Sequence, residues 1–440
     1  MPKSDDTKMA APAAQTTRGT PYKFVPLSYK ESFRQWWSSP SAKEAESRVL
    51  SYLPFFPEPK GGRTASISEV DIGDGLHLNE FSVTNVGSGS SETAVNPDKN
   101  LVILHGYGAG LALFYKNFDA WSSVEGSRMY ALDLLGFGRS SRPRFSIKTK
   151  DLSEKDDQGR FKAVVETEAW FLDSLERWRQ ARNLNRFTLV GHSMGGYLAA
   201  AYAMKYPERV DKLVLLSPAG VERGYTPDME KRVRKNDDSE TNPALPKVEE
   251  EFMESQNDTT KTHEELERSL TNELSTSTRN MSRTFKLLWH SDISPFSIIK
   301  LSGFIGPRLI SQWSYRRFSD LPESEMKAMH DYVYKIFTGK SSGEFAITRI
   351  LASGIVARMP LIDRVARAGG LQCPSLWIYG ENDWMNVHAG EESVRRLQLH
   401  SGKPQAKASF HTVDRAGHHV YLDNPSVVDK LVLDFFTASD

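Results

Sequence analysis

Short apolar runs recur along the middle and the end of the chain, each closed by glycine, proline or serine and followed by a helical stretch. "LVILHG" (101–106), "RMYALDLLGFG" (128–138), "RFTLVGHS" (186–193) and "DKLVLLSPAG" (211–220) have this form. After a long interval "PSLWIYGENDW" (374–384) and "ASFHTVDRAGHH" (408–419) resume it. Apolar runs without polar alternation suit strands buried on both faces, so the pattern predicts an α/β fold, a mostly parallel central sheet flanked by helices. The core is expected in two pieces, 61–220 and 361–440, with residues 221–360 inserted between them as a helical cap.

The flanks read differently. Residues 1–20 are rich in Ala, Thr and Pro and are expected to be a disordered tail. Residues 21–60 should form amphipathic helices. Ser28 with Glu31 makes a capping box, and Tyr29, Phe33, Trp36 and Trp37 then fall on one helical face, with Lys30 and Arg34 outside it. That face suits either the headgroup region of a lipid surface or docking on the rest of the fold. A second box, Ser41 with Glu44, starts a helix expected to run through Val49, Leu50 and Leu53 until "LPFFPEPKGG" ends it. "GSGSSE" (87–92) reads as a flexible turn. Within the cap, 225–280 is a charged insertion, expected as solvated helix or disorder. Apolar content returns over 285–313, broken by Pro295, Gly303, Gly306 and Pro307.

Composition removes several alternatives. The 440 residues carry 56 acidic and 56 basic side chains, a formal net charge of +0, which offers nothing to draw in nucleic acid. The single cysteine, Cys373, cannot form an internal disulfide and fits a reducing compartment. No stretch reaches the roughly 18 apolar residues that span a bilayer, so any membrane contact is expected to be peripheral. No signal-peptide core opens the chain, and Asp5 and Asp6 do not suit an ordinary mitochondrial presequence. No metal-ligand spacing and no phosphate-cradling glycine loop appear, so no cofactor is expected.

The chemistry concentrates at 191–195, "GHSMG". A G-x-S-x-G pattern arises by chance about 0.15 times in a chain this long at ordinary Gly and Ser frequencies, and here it occurs twice. The second copy, "GKSSG" at 339–343, follows the helix-like "MHDYVYKIFT" and lacks a strand before it. The first lies between "FTLV" and a small-residue helix, the setting in which such a serine is held in a strained strand-to-helix turn. Side chains at Gly191 and Gly195 are expected to clash there, and Gly196 to let helix and strand pack closely. Ser193 at a helix start leaves the Met194 N–H free for a developing anion. A serine needs a base and a group to orient it. Chain order points to Asp383 after "SLWIYG" and His418 after "FHTVDRAG", both at strand ends on the edge of the sheet that carries Ser193. Asp133 and His105 are expected to be structural, position 217 is Ser rather than an acid, and His419 should point away. The second oxyanion donor is expected from "HGYGAG", most directly the Tyr107 N–H.

These residues resemble the α/β-hydrolases, and more narrowly the branch holding the lipid-droplet lipase coactivator and its N-acylphospholipid lipase relative. Fungal members of the branch include a mitochondrial cardiolipin-specific deacylase and lysophosphatidic acid acyltransferase-like proteins. The resemblance spans about 36–440 and rests on "KEAESRVLSYLP", "HGYGAGLALFYKNFDAW", "LDLLGFGRSSRP", "GHSMGGYLAAAYAMKYPERVDKLVLLSPAG", "SPFSIIKLSGFIGP", "SGEFA" and "AGHHVYLDNP". It implies a serine hydrolase that removes an acyl chain from a phospholipid through an acyl-enzyme, working at a membrane or lipid-droplet surface. Acyl transfer onto lysophosphatidic acid, or a non-catalytic scaffold that recruits a lipase, are the alternatives. The coactivator members have lost the serine, and Ser193 stands in its place here. The branch's His-x4-Asp motif is matched by His418 and Asp423. Asp423 is also expected to cap the last helix before Pro425. The resemblance implies an intracellular location peripheral to a membrane, a mitochondrial one ahead of lipid droplet or cytoplasm. The charged insertion is longer than in animal relatives, which bears on the shape of the cap.

Overall fold

The computed structural model describes residues 25–87, 95–147, 157–223, 294–352, 356–367, 369–400 and 407–438. The tail at 1–20, the charged insertion at 225–280, the turn at 88–92 and the cap segment 285–293 lie outside them. Eight strands form one sheet in the order β1-β2-β4-β3-β5-β6-β7-β8. They are β1 (Arg63–Gly73), β2 (Leu76–Asn85), β3 (Asn100–Leu104), β4 (Ser127–Leu132), β5 (Phe187–His192), β6 (Val210–Leu216), β7 (Ser375–Gly380) and β8 (Ala408–Val413). From β4 to β8 all neighbours run parallel, as the unalternating runs imply. The hairpin β1–β2 adds two antiparallel strands at one edge. Its first strand alternates exposed and half-buried positions, the mark of an edge with one wet face, so no apolar run announces it.

Side-chain alternation along each strand feeds two apolar layers. In β3, Val102 and Leu104 join the layer of α4 (Asp157–Ala181) and α5 (Met194–Lys205), while Leu101 and Ile103 face the other. That second layer holds α2 (Ala42–Leu50), α3 (Tyr115–Trp121) and the C-terminal helix Pro425–Thr437. The cap contributes Pro295–Leu301, Gly306–Arg317, Glu323–Thr338 and Ile347–Ile350. Both N-terminal capping boxes form, opening α1 (Tyr29–Ser38) and α2. The second helix stops at Leu50, short of the expected Leu53; Ser51 closes it and Leu53 packs from the following turn.

A buried polar cluster ties α2 to the sheet. Glu46 accepts Asn79 Nδ2 at 2.9 Å and Arg139 Nη1 at 2.7 Å. Asn79 Nδ2 also reaches Asp133 Oδ2 at 2.8 Å. Burial, with the neighbouring Asp133 charge, pushes the Glu46 carboxyl up to about 8. Between the ordinary value of 4.5 and about 8, the folded chain therefore holds a proton that the unfolded chain has released. Stability falls as pH rises through that window. Thermal melts at pH 5 and pH 8 check this: Glu46→Gln, neutral throughout, should show a smaller difference between the two than the parent chain. An equal difference would remove Glu46 as the cause.

Candidate active site

Strand β5 ends at His192 and α5 begins at Met194, so the whole reversal is made by Ser193. Its backbone sits at φ 54° and ψ −119°, a conformation that costs roughly 1–3 kcal/mol for a residue with a side chain. Three backbone bonds hold it there. Ser193 N donates to Leu216 O at 3.0 Å, and its carbonyl accepts from Tyr197 N at 3.1 Å and Ala219 N at 3.0 Å. The two glycines answer to different neighbours. A Cβ on Gly191 would stand 2.4 Å from the Gly195 carbonyl oxygen, so helix backbone excludes it. A Cβ on Gly195 would stand 2.4 Å from the His105 oxygen and 2.7 Å from that of Leu104. The expected clash between the two positions is thus replaced, at Gly195, by contact with the end of β3. Gly196 packs against Pro218, just past β6.

The loops after β7 and β8 meet this turn. His418 Nε2 lies 3.0 Å from Ser193 Oγ, and His418 Nδ1 lies 3.1 Å from Asp383 Oδ1. Asp383 Oδ1 also accepts Met385 N at 3.0 Å. Burial works to raise the Asp383 carboxyl, but the His418 hydrogen bond and charge outweigh it and keep the carboxyl below the usual range. With its Nδ1 proton directed at this carboxylate, the imidazole has Nε2 free to accept the serine proton. Ser217, held at φ 45°, further favours the ionised Asp383; among the described residues neither its hydroxyl nor Asp383 Oδ2 has a partner within hydrogen-bond geometry.

His192 braces the base from below. Its Nε2 donates to the His418 carbonyl at 2.9 Å, while burial, then the His418 charge, brings its own proton affinity down to about 3. It is a neutral donor across the physiological range. His419 packs at a tilt on His192 and meets the Tyr421 ring edge-on, and burial likewise keeps it neutral.

Over the serine runs the loop "HGYGAG". A Cβ on Gly106 would lie 3.0 Å from Ser193 Cβ, so this backbone passes directly across the nucleophile. Among the described residues, neither Tyr107 N nor Met194 N donates to the protein, which leaves both free for an anion. Asp133 fixes the loop by accepting Leu111 N at 2.8 Å, and Tyr332 of the cap accepts Ala112 N at 3.1 Å. His105 accepts Leu134 N through Nε2 at 3.0 Å, and its Nδ1 bonds the Gly106 carbonyl at 2.7 Å. Both Asp133 and His105 are therefore scaffold for the loop.

Aromatic rings gather against this loop and the His418 ring. Phe296 stacks on Tyr107 with ring centroids 5.5 Å apart and on Phe337 at 4.7 Å. Trp384, 43% exposed, lies against His418 at 4.6 Å. Phe296, Phe337 and Trp384 were not singled out from the sequence. Trp384 alone carried a signal, as the residue next to Asp383 in "NDWM".

Asp423 does not cap the last helix. The N-cap there is Asn424, whose side chain makes no capping bond. Asp423 turns back instead: its Oδ2 accepts Gly417 N at 2.9 Å, and its Oδ1 stands 2.8 Å from Arg317 Nη2. The second "GKSSG" lies between Glu323–Thr338 and the short turn Gly343–Ala346. Its Ser341 hydroxyl is held by Lys300 Nζ at 2.7 Å.

Helix α1 docks on the cap by its polar side. Ser32, fully buried, donates to Phe304 O at 2.6 Å and accepts Arg308 N at 3.0 Å, and Gln35 bonds Asp331 at 2.8 Å. Tyr29, Phe33, Trp36 and Trp37 stay exposed, Trp37 to 76%, beside exposed Leu301, Phe304, Ile305 and Leu309. No helix among the described residues is long and apolar enough to cross a membrane. Among the same residues, no group of three or more His, Cys, Asp or Glu side chains could hold a metal ion.

Comparison with known proteins agrees with this architecture. The sequence profile of the alpha/beta hydrolase fold matches residues 99–425. A protein of Arabidopsis thaliana named 1-acylglycerol-3-phosphate O-acyltransferase is 32% identical over 88% of this chain and 78% of its own. A rice protein, named a probable 1-acylglycerol-3-phosphate O-acyltransferase, is 33% identical over 74% of this chain. This chain spans 64% of the rice protein's length. A mouse (lyso)-N-acylphosphatidylethanolamine lipase is 27% identical over 77% of this chain and 80% of its own. Among solved structures, a Bacillus subtilis carboxylesterase, CesB, superposes with a TM-score of 0.50 at 17% identity, over 93% of this chain and 100% of that one, and shares the fold. With the serine turn, the eight-stranded order and the profile match in agreement, this chain belongs to the α/β-hydrolase fold family.

Proposed function

We propose that this protein is a serine acyl hydrolase of phospholipids that works through an acyl-enzyme. The observation that carries the reading is the unbroken chain Ser193 Oγ, His418, Asp383, at 3.0 Å and 3.1 Å, with aromatic rings against it. Ser193 Oγ attacks an acyl ester carbonyl as its proton passes to His418 Nε2. The Tyr107 and Met194 N–H groups take the oxyanion, each worth several kcal/mol of the barrier. Collapse passes the proton from His418 to the leaving glycerol oxygen. Water then attacks the acyl-enzyme as its proton goes to His418, and the fatty acid leaves as Ser193 Oγ takes that proton back. Tyr107, Phe296 and Phe337 supply an apolar surface for an acyl chain. The exposed aromatic side of α1, with Arg308 over the Tyr29 ring at 4.8 Å, supports seating at a lipid headgroup layer.

A second reading uses the same acyl-enzyme. If the hydroxyl of a lysophospholipid attacks in place of water, the product is a diacyl lipid, and the names of the Arabidopsis and rice relatives favour lysophosphatidic acid as that acceptor. A scaffold without chemistry is disfavoured by the assembled triad. For the compartment we propose a mitochondrial membrane with cardiolipin as a substrate, on the resemblance to the cardiolipin deacylase; a lipid droplet is the alternative. Lipid profiles of a deletion strain decide, since cardiolipin and triglyceride would change in different cases.

Fluorophosphonate labelling should mark the wild-type chain and be lost in Ser193→Ala. Labelling that persists in the variant would overturn the reading. Asp383→Asn should lower ester turnover by about 10³–10⁴-fold with little change in KM, because the imidazole loses its orientation. Fatty acid release from phospholipid vesicles, measured with and without lysophosphatidic acid, separates hydrolysis from transfer: new phosphatidic acid at the expense of free fatty acid marks transfer. Trp36→Ser with Trp37→Ser should weaken co-sedimentation with anionic vesicles about fivefold or more. Unchanged sedimentation would remove α1 as the lipid contact.

A further inference from the structure

We infer that Arg317 and Asp423 form a clasp through which the seating of the cap positions the catalytic imidazole. The inference rests on the serine-hydrolase reading above. His418 is held from three sides. Asp383 orients its ring, and His192 holds its carbonyl at 2.9 Å. The third hold is on the peptide before it, where Gly417 N donates to Asp423 Oδ2 at 2.9 Å. The first two holds come from the sheet. Asp423 alone is shared with the cap, because its other oxygen meets Arg317 Nη2 at 2.8 Å.

Arg317 is the last residue of the cap helix Gly306–Arg317. The opposite end of that helix receives α1: Arg308 N donates to Ser32 Oγ at 3.0 Å, Leu27 N donates to Ser311 Oγ at 3.0 Å, and the Arg308 guanidinium bonds the Leu27 carbonyl. A 12-residue helix is about 18 Å long and moves as a rod. One rod thus carries the exposed aromatic helix at its start and reaches the histidine loop at its end. Any shift of the cap as lipid binds would be felt at Gly417, one peptide from the base.

The two side chains are 23% and 21% exposed, while the Arg317 Nη2 atom that makes the contact is itself out of water. The contact is close, yet its angle lies outside hydrogen-bond geometry, so charge rather than a directed bond holds it. Position is more sensitive than stability here, since a displacement of about 1 Å at a base can lower turnover a hundredfold.

The test uses the full chain with a soluble short-chain ester, which needs no lipid surface. Arg317→Gln should lower kcat by between about tenfold and a hundredfold with KM nearly unchanged. Arg317→Lys, which keeps the charge, should recover most of the loss. Asp423→Asn retains an oxygen for Gly417 N but not the charge, and should match Arg317→Gln. The double variant should be no worse than the poorer single one. An unchanged kcat in Arg317→Gln would overturn the clasp, and so would a loss confined to melting temperature that Arg317→Lys fails to rescue. A change in Asp423→Asn limited to the ratio of acyl transfer to hydrolysis would assign Asp423 to the acceptor instead and overturn it too. Should Asp423→Asn fail to fold, Arg317→Gln at the helix end still decides. A wild-type chain that neither turns over ester nor reacts with fluorophosphonate would remove the hydrolase reading together with the clasp, whereas an active wild type with a silent Arg317→Gln removes the clasp alone.

Discussion

Helix α5 lies so close to the ends of β3 and β5 that no side chain fits at Gly191 or Gly195, and the geometry of the site descends from that proximity. With the helix pressed against the sheet, one residue must make the entire reversal, and Ser193 makes it at positive φ. The same approach brings the "HGYGAG" loop at the end of β3 over the serine, so that among the described residues the Tyr107 and Met194 N–H groups beside it have no protein partner. Strain at a single residue is tolerable because the bonds to Leu216, Tyr197 and Ala219 tie it to β6 and α5.

The polar groups that support this arrangement are buried and therefore exacting. Asp133 holds the loop through Leu111 N, Asn79 and Arg139 N hold Asp133 in place, and Glu46 in turn accepts from both Asn79 and Arg139. Each is a group whose loss would leave others unsatisfied away from water. His192 is a subtler case. Its neutral state, set by burial, allows it to donate to the His418 carbonyl without placing a positive charge beside the His418 ring.

The N-terminal helix inverts the usual arrangement. Amphipathic helices ordinarily dock by the apolar side. Here Ser32 and Gln35 make the hydrogen bonds to the cap, while four aromatic side chains stay exposed, Phe33 against Phe304 and Tyr29 under Arg308. Soluble chains rarely leave such a surface uncovered. The arrangement joins an exposed aromatic exterior to the cap helix whose far end, Arg317, meets Asp423 beside the His418 loop.

Much was legible from residues alone. Unbroken apolar runs indicate strands buried on both faces because only helix-covered parallel strands need no polar side. The serine turn showed itself through its context, a strand before it and a helix after, which "GKSSG" lacks. The β1–β2 hairpin escaped notice, since a wet edge alternates and resembles many loops. The fate of Asp423 was equally hidden. Its short-range options suggested a helix cap, while its actual partners, Gly417 and Arg317, are brought to it by the folding of a loop and a cap helix more than a hundred residues away in sequence. Local chemistry is written in neighbouring residues, so the sequence by itself determined the fold class, the strained serine and the order of its partners. Which face of α1 docks, which group braces His418 and what roofs Ser193 depend on contacts between distant segments, and only the packed tertiary structure decided them.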